Sequence, residues 1–290
     1  MRNVRIRIWV VAFFCVLVLS LNIQTFGGTG VSGDGRIRVV PDFEEDMVRG
    51  LPWYNVDNGD PISLPVPSDY TGFPTRISTD GSVIAGMLFN VHETGYWCDY
   101  RGAVWRQTQV IDGTPFYSEP LLLPSLDVLN LNWMTDMSIN GKYLVGRDIG
   151  PSGDIYQAVY WDENRDVHSL GSLYHDSLIY NQSSAEGVRN DKVIVGVTYA
   201  EGASTDIGFI WDEQHGMRYI KDVLEQEYNY DFGDNILASA GFGNPEGTII
   251  EGNGYTSTGE LFFWTATIPE PATVMLLGLG GLLLHRRKKT

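Results

Sequence analysis

The strongest constraint on the fold of this chain is an internal repeat of about fifty residues. Four segments each contain a turn residue followed five residues later by a glycine, and the turn residues are Gly81, Gly141, Asp191 and Gly247. Each segment ends in a tryptophan, at positions 105, 161, 211 and 264, so the intervals are 56, 50 and 53 residues. A unit of this size cannot bury its own apolar face, so the units have to stack on one another.

Each repeat unit predicts three or four short strands. The pairs Asp80-Gly81 and Asn140-Gly141 predict hairpin turns, because these residue types tolerate positive φ. The following apolar run, such as 193–195, predicts a buried strand, and the closing glycine predicts a bulge or a close backbone approach. The run that ends in tryptophan predicts a third strand, whose indole fills the gap between units. A further apolar piece, such as 121–123, completes the unit.

Composition and patterning together predict an all-β protein. Tryptophan, tyrosine and glycine are plentiful, and long runs of helix-forming residues are missing. The segment 53–64 has the pattern of the second half of a unit, so it is expected to pair with the last unit and close a ring. We therefore predict a β-propeller-like ring of four or five blades over residues 51–267, preceded by a linker and first strands at 28–50. The alternative is a β-solenoid or a sandwich.

The repeat resembles the HAF-type extracellular repeat, which alternates an Asn-Gly turn, a Val-Val-Gly strand and an (Ala/Gly)-Phe-x-Trp strand with a Leu-Gly stretch. The best matches are Gly208-Phe209-Ile210-Trp211 and Leu170-Gly171-Ser172-Leu173. Other units depart from the pattern, since 103–105 and 158–161 lack the phenylalanine. The resemblance spans about residues 54–266 and implies a protein that works outside the cell.

The N-terminus has the layout of a secretory signal peptide, which we place at residues 1–27. A basic region with Arg2, Arg5 and Arg7 precedes an apolar run over 8–21 and a Gly/Ser-rich stretch. We therefore expect a signal helix, removal by signal peptidase and export. The alternative is an N-terminal anchor that is not cleaved.

The C-terminus contains, in order, three features that are typical of a membrane-inserted segment. Pro269, Glu270 and Pro271 precede an apolar run over 272–284. The chain then ends in four basic residues that are expected to stop at the membrane surface: Arg286, Arg287, Lys288 and Lys289. Thirteen residues span only about 20 Å as a helix. A full crossing needs about 20 residues, so we predict a marginal transmembrane helix that holds the protein temporarily.

This order of features resembles the PEP-CTERM sorting signal of exported bacterial proteins, here over residues 268–290. The resemblance implies that an exosortase, a membrane transpeptidase-like protease, recognises Pro269, Glu270 and Pro271 and removes the tail. It further implies a location in the cell envelope before processing, and at the cell surface or outside the cell afterwards. Ile268 departs from the valine that is usual at the first position. The alternative is an ordinary anchor that stays attached.

Net charge excludes one class of partner. Outside the two signals the chain has thirteen basic and thirty-five acidic residues, a net charge near −22. Such a surface repels nucleic acid and anionic lipid. Only Cys98 remains outside the signal peptide, so no internal disulfide can form, and its side chain is expected to be a small apolar core group.

No pattern in the sequence predicts a catalytic, cofactor-binding or metal-binding residue. The match to G-x-G-x-x-G over 28–33 does not lie between a strand and a helix, so it predicts a flexible linker. His168 and His175 are seven residues apart, which is poor spacing for a metal. The segments 57–60 and 231–234 offer oxygens to calcium but also read as turns.

We therefore expect a non-catalytic exported protein whose repeat domain binds or scaffolds extracellular polysaccharide or protein. The alternative is an extracellular carbohydrate-active enzyme on a propeller, because several carboxylates could meet in a ring cleft as glycosidases require. The sequence does not single out a pair of them.

Overall fold

The computed structural model describes residues 30–39, 53–91, 97–126, 131–149, 156–173, 182–199 and 206–268. The predicted signal peptide and everything from Pro269 onward lie outside these ranges, and so does His175. Within the described ranges, no helix has the length and apolar character needed to cross a bilayer.

Five antiparallel sheets follow one another along the chain. The first contains β1 (Ile37–Val39), β2 (Trp53–Val56) and β3 (Ile62–Ser63). The second contains β4 (Tyr70–Ile77), β5 (Val83–Val91) and β6 (Trp97–Ile111), with β7 (Thr114–Tyr117) and β8 (Leu121–Leu122) both pairing with β6. The third is the meander β9 (Asn132–Met137), β10 (Leu144–Ile149), β11 (Tyr156–Trp161) and β12 (Val167–Gly171). The fourth is the meander β13 (Gln182–Val188), β14 (Ile194–Tyr199), β15 (Ile207–Asp212) and β16 (Gly216–Tyr219). In the fifth, β17 (Ile236–Leu237) and β18 (Gly241–Phe242) pair with one side of β19 (Ile249–Tyr255), and β20 (Leu261–Thr267) pairs with the other.

The sheets are arranged as the blades of a propeller. Edge strands of neighbouring sheets contact one another: β1 with β4, β4 with β9, β9 with β13, and β13 with β18. Four clusters of buried apolar side chains fill the four interfaces between consecutive sheets. The predicted all-β, propeller-like fold class is therefore confirmed.

The repeated turn depends on a serine that the sequence reading did not use. Ser78 Oγ donates to Asp80 Oδ1 at 2.7 Å and accepts from the N–H of Val83 at 3.0 Å. Ser138 makes the same two contacts with Asn140 and the N–H of Tyr143. These bonds close the turn and set the start of the next strand.

The same turn occurs once more, at the start of the described chain, and corrects the linker prediction. Ser32 Oγ donates to Asp34 Oδ1 at 2.6 Å and accepts from the N–H of Ile37 at 2.9 Å. The N–H of Gly33 donates to the carbonyl of Thr79 in the next turn at 2.7 Å. Gly30 and Gly33 are thus bonded into the folded body beside the first sheet. The turn here is Ser32-Gly33-Asp34-Gly35, and it forms without the second glycine that follows the turn in the other units.

The expected pairing of the strand at Trp53 with the last repeat is wrong. This strand, β2, pairs with β1 and β3. Its missing first half is supplied by residues 30–39, which precede it in the chain. Among the described residues, no buried cluster joins the first sheet to the fifth.

The second glycine of each repeat lies where two backbones meet, as predicted. A Cβ on Gly146 would lie 1.9 Å from the carbonyl oxygen of Trp133, and a Cβ on Gly86 would lie 2.2 Å from that of Phe73. The pairing register shifts beside both glycines, so each faces a bulge in the first strand of its sheet.

The tryptophans link neighbouring sheets, also as predicted. The side chains of Trp105 and Trp161 are fully buried. Their indole N–H groups donate at 2.8 Å to the carbonyls of Pro65 and Pro124, which follow the preceding sheets along the chain. The indoles therefore fill and cross the interface between units.

One helix was not predicted. The helix α1 (Ile220–Tyr228) lies between the fourth and fifth sheets, and Ile220, Val223 and Leu224 on it are buried. Their spacing of three and four residues places them on one helical face. The pattern covers little more than two turns, which is too short to stand out from the strand signals around it.

Candidate functional site

The inner strands of three neighbouring sheets are joined by a buried polar network. Arg76 on β4 donates its Nε hydrogen to Asp136 Oδ1 on β9 at 2.7 Å. The other carboxylate oxygen of Asp136 accepts from the N–H of Val188 on β13 at 3.2 Å. Both charged side chains are mostly buried, so the pair holds the three strands in register.

Glu186 occupies the bulge of β13, close to this network. Burial is the main cause that raises the pKa of its carboxyl, and the negative charge of Asp136 raises it further. A hydrogen bond from Ser184 and the positive charges of Arg147 and Arg76 oppose the shift without cancelling it. The result is a carboxyl group that keeps its proton to a higher pH than an ordinary glutamate.

An aromatic–arginine cluster lies at the end of the second and third sheets that is opposite to the repeated turns. Its members come from six strands of the two sheets: Phe73, Phe89, Tyr100, Trp133, Arg147 and Tyr156. The ring centroids of Phe89 and Trp133 are 6.1 Å apart, and those of Tyr100 and Trp133 are 5.7 Å apart, both edge to face. The hydroxyls of Tyr100 and Tyr156 are 2.8 Å apart, so the cluster bridges the two sheets.

Arg147 is the charged centre of this cluster. Its guanidinium carbon lies 5.0 Å from the ring centroid of Tyr156 and 5.8 Å from that of Trp133. Its Nε atom is buried and has no hydrogen-bond partner. The two rings hold the guanidinium by cation–π attraction and leave a donor unsatisfied.

A half-buried tyrosine of the fourth sheet, Tyr199, lies within the influence of the same charged groups. Burial raises the pKa of Tyr199, and the charge of Glu186 adds to the shift while Arg147 opposes it. The tyrosine therefore keeps its hydroxyl hydrogen throughout the physiological range. The site therefore brings together half-buried aromatic rings, a guanidinium, a carboxyl whose pKa is raised and a phenol, which are groups that can pack against a ligand and form hydrogen bonds with it.

The acidic segments considered for calcium form turns. Asp57 has a φ of 51°, and its carboxylate pairs with Arg36 at 2.9 Å. Asp231 Oδ1 accepts from the N–H of Gly233 at 3.0 Å. Within the part of the chain that the structure describes, no three His, Cys, Asp or Glu side chains group as metal ligands.

The predicted sorting and membrane-stop residues cannot be placed, because 269–290 lies outside the described ranges. His168, which sequence reasoning set aside, stacks on Tyr160 with ring centroids 4.6 Å apart and bonds Asp162 at 3.2 Å. The Cys98 side chain is also outside the description.

Sequence reasoning missed the aromatic–arginine cluster. It treated aromatic residues as packing between blades, and it did not examine Arg147. A usable signal was present, since Arg147 directly follows the second glycine of its unit, where the other units have Met87, Val197 and Asn253. A charge at a position that is apolar or neutral elsewhere in a repeat marks a departure from pure packing.

Comparison with known proteins supports the reading of the C-terminus. Residues 267–289 match the PEP-CTERM protein-sorting motif. No curated protein matches the chain. The motif indicates an exported protein that is sorted to the cell envelope and recognised by an exosortase-type enzyme.

Two solved structures share similarity at 13% sequence identity each. The first is a TolB protein of Agrobacterium tumefaciens, with 83% of this chain and 81% of that chain covered and a TM-score of 0.46. The second is the β-propeller domain of the trilobed protease of Pyrococcus furiosus, with 81% and 80% covered and a TM-score of 0.34. The description of the fold above rests on the strand pairing of this chain alone.

Proposed function

We propose that this chain is a non-catalytic envelope or matrix protein whose aromatic–arginine cluster binds extracellular polysaccharide. In this proposal, signal peptidase removes residues 1–27. A transient membrane helix then holds the C-terminal tail while the sorting enzyme recognises and removes it. The remaining body is located at the cell surface or outside the cell. The repeats belong to the HAF type in this proposal. The observation that carries the binding role is Arg147, half-buried between Trp133 and Tyr156 with an unsatisfied donor.

The chemistry of the cluster suits sugars. The carbon–hydrogen faces of a pyranose ring pack on aromatic rings, while its hydroxyls need donors and acceptors at the edge of the stack. Arg147 supplies donors, and the carboxyl of Glu186, whose pKa is raised by burial, accepts hydrogen bonds and also donates one in its protonated form. Because the body carries a net charge near −22, a neutral polysaccharide is favoured over a strongly anionic one.

The binding role predicts that Tyr156→Ala and Arg147→Gln weaken binding to exopolysaccharide purified from the producing cells. Loss of one stacking contact of about 1–1.5 kcal/mol weakens the affinity about tenfold. The measurement is a binding isotherm with purified body, residues 28–268, by calorimetry or by retention on immobilised polysaccharide.

The matched control is Phe263→Ala, which removes an aromatic side chain that is 80% exposed on the fifth sheet. Thermal melting establishes that each variant is folded. Equal affinities for the parent, the cluster variants and the control would contradict the assignment of binding to this cluster.

Hydrolysis of the polysaccharide is the second candidate function. It is favoured by the raised pKa of Glu186 beside the charge of Asp136, since glycosidases use one protonated and one ionised carboxyl. Reducing ends are followed over time with the parent, Glu186→Gln and heat-killed protein. Release of sugar by the parent that is lost in Glu186→Gln would replace the binding role with an enzymatic one.

A further inference from the structure

The sorting motif and the folded body overlap by two residues. The motif begins at Thr267, which is the last residue of β20, and continues through Ile268, which is only 4% exposed. No spacer separates the last strand from Pro269. The first part of the recognition signal is therefore also part of the fifth sheet.

Backbone pairing holds these two residues in place. Thr267 pairs with Ile249 across the sheet, and its N–H donates to the hydroxyl of Tyr230 at 2.7 Å. The N–H of Ile268 donates to the carbonyl of Thr248 at 2.8 Å. The backbone hydrogen-bond donors at the start of the motif are thus already used within the body.

Side-chain packing holds Ile268 as well. It belongs to the apolar cluster that fills the interface between the fourth and fifth sheets. Trp264 and Ala266 of the same strand are buried in this cluster, together with α1 residues Val223 and Leu224. Withdrawing Ile268 from the cluster exposes its apolar surface to water.

An enzyme that processes a peptide binds it as an extended chain through its backbone groups and side chains. A residue that is paired in a sheet and buried in a core cannot occupy a second site at the same time. Among the described residues of the motif, this conflict concerns Thr267 and Ile268, and the next residue, Pro269, has no N–H to donate to a neighbouring strand. The motif becomes fully available only when this end of β20 opens.

We propose that the end of β20 couples sorting to folding: the sorting enzyme engages the full motif only while Thr267 and Ile268 are released from the fifth sheet. This proposal rests on the sorting role described above. It assigns Tyr230 and Thr248, which are distant from the motif in sequence, as residues that restrain processing by holding its first two residues.

The test separates the role of Thr267 and Ile268 in the fifth sheet from their role at the start of the sorting motif. Insertion of Gly-Ser-Gly-Ser-Thr-Ile after Ile268 leaves the strand with its own Thr-Ile end and places a second copy beside Pro269. The control carries an insertion of six residues after Gly113, in the exposed turn between β6 and β7. The full chains are expressed in cells that contain the exosortase-type enzyme, and tail removal is followed by pulse–chase.

The inserted variant is expected to be processed about tenfold faster than the parent and the control, because a paired and buried segment opens in only a minor fraction of molecules. Tyr230→Phe leaves the motif unchanged and removes one restraint, so it is expected to give a smaller increase. Its control is Tyr255→Phe, at the other end of β19.

The outcomes discriminate between the coupling and the sorting role. Equal rates for the parent, the inserted variant and Tyr230→Phe would overturn the coupling while leaving sorting intact. If neither the parent nor the inserted variant loses its tail or changes its cell fraction, the sorting role itself fails. Faster processing of the inserted variant, a smaller increase for Tyr230→Phe and an unchanged rate after insertion at Gly113 together support the coupling.

Discussion

Glu186 occupies a bulge position that the repeat uses differently in each sheet. The equivalent residues in the second and third sheets are Thr75 and Thr135, which follow from the same register shift. The hydroxyl of Thr135 lies 2.5 Å from the carbonyl oxygen of Ala185 on β13 and 3.1 Å from that of Val145, so its hydrogen-bonding capacity is satisfied. Glu186 instead places a carboxyl near Arg147 and Asp136. Thus the presence of glutamate instead of threonine at one equivalent position of the repeat places a titratable group between the sheets.

The raised pKa of Glu186 predicts the direction of a pH effect on stability. The folded protein binds this proton more tightly than the unfolded chain, whose ordinary value is 4.5. The resulting stability is fully present below pH 4.5 and is lost as the pH rises through the folded-state pKa. Glu186→Gln is neutral at every pH. We therefore expect the melting temperature of the variant, relative to the parent, to increase as the pH rises above 4.5.

The measurement is a series of thermal melts of both proteins between pH 4 and pH 8. Carboxylates whose pKa is lowered, such as Asp80 and Asp191, shift both proteins equally, so the difference isolates Glu186. A constant difference across the series would show that the carboxyl titrates normally.

At the scale of the element, tryptophan side chains contribute to the contacts between neighbouring sheets. Trp161 packs among residues of the second and third sheets, and its indole donates to the carbonyl of Pro124. Trp161→Ala removes the ring and leaves that carbonyl without its donor, so a loss of about 3–5 kcal/mol in the free energy of unfolding is expected. Denaturant titration of the purified body gives this value.

Phe263→Ala serves as the control at the level of the element, since its side chain lies exposed on β20. A change within about 0.5 kcal/mol is expected for an exposed position. Similar losses for the two variants would contradict the view that the tryptophans carry the contact between sheets.

The elements show where sequence patterns were sufficient. The turn, the buried strand and the tryptophan strand were predictable, because each depends on residues within one unit. The segment 28–33 was predicted as a flexible linker although the Ser-x-Asp-Gly turn begins within it, because this turn is not followed by the closing glycine of the other units. Helix α1 was missed because its apolar face extends over only a few residues.

At the scale of the whole molecule, the described parts of the five sheets follow one another like the blades of a propeller, and each middle sheet packs against two neighbours. The clusters of the described residues place the second, third and fourth sheets between partners on both sides, whereas the first and fifth sheets each share one cluster. In such arrays stability depends on the interfaces between neighbours. The terminal units are therefore expected to open more readily than the middle ones.

Native-state hydrogen exchange tests this order. Peptides from β10 and β14 are expected to exchange at least about tenfold more slowly than peptides from β1 and β20. The internal control compares β5 with β19, because each of them pairs with strands on both sides while β5 lies in a middle sheet and β19 in a terminal one. Uniform protection across the five sheets would indicate a closed and fully cooperative ring.

The sequence alone was sufficient to predict the repeated strands, the turns, the tryptophans at the interfaces between units and the sorting motif at the C-terminus. Each of these depends on neighbours within about fifty residues, so the pattern of one unit contains its physical cause. The tertiary structure decided which strands β2 joins, that Arg147 lies between Trp133 and Tyr156, and that Ile268 is buried. These facts depend on how one sheet is placed against the next. That placement arises from packing between residues of separate units, and such packing produces no repeating pattern that can be recognised in the sequence.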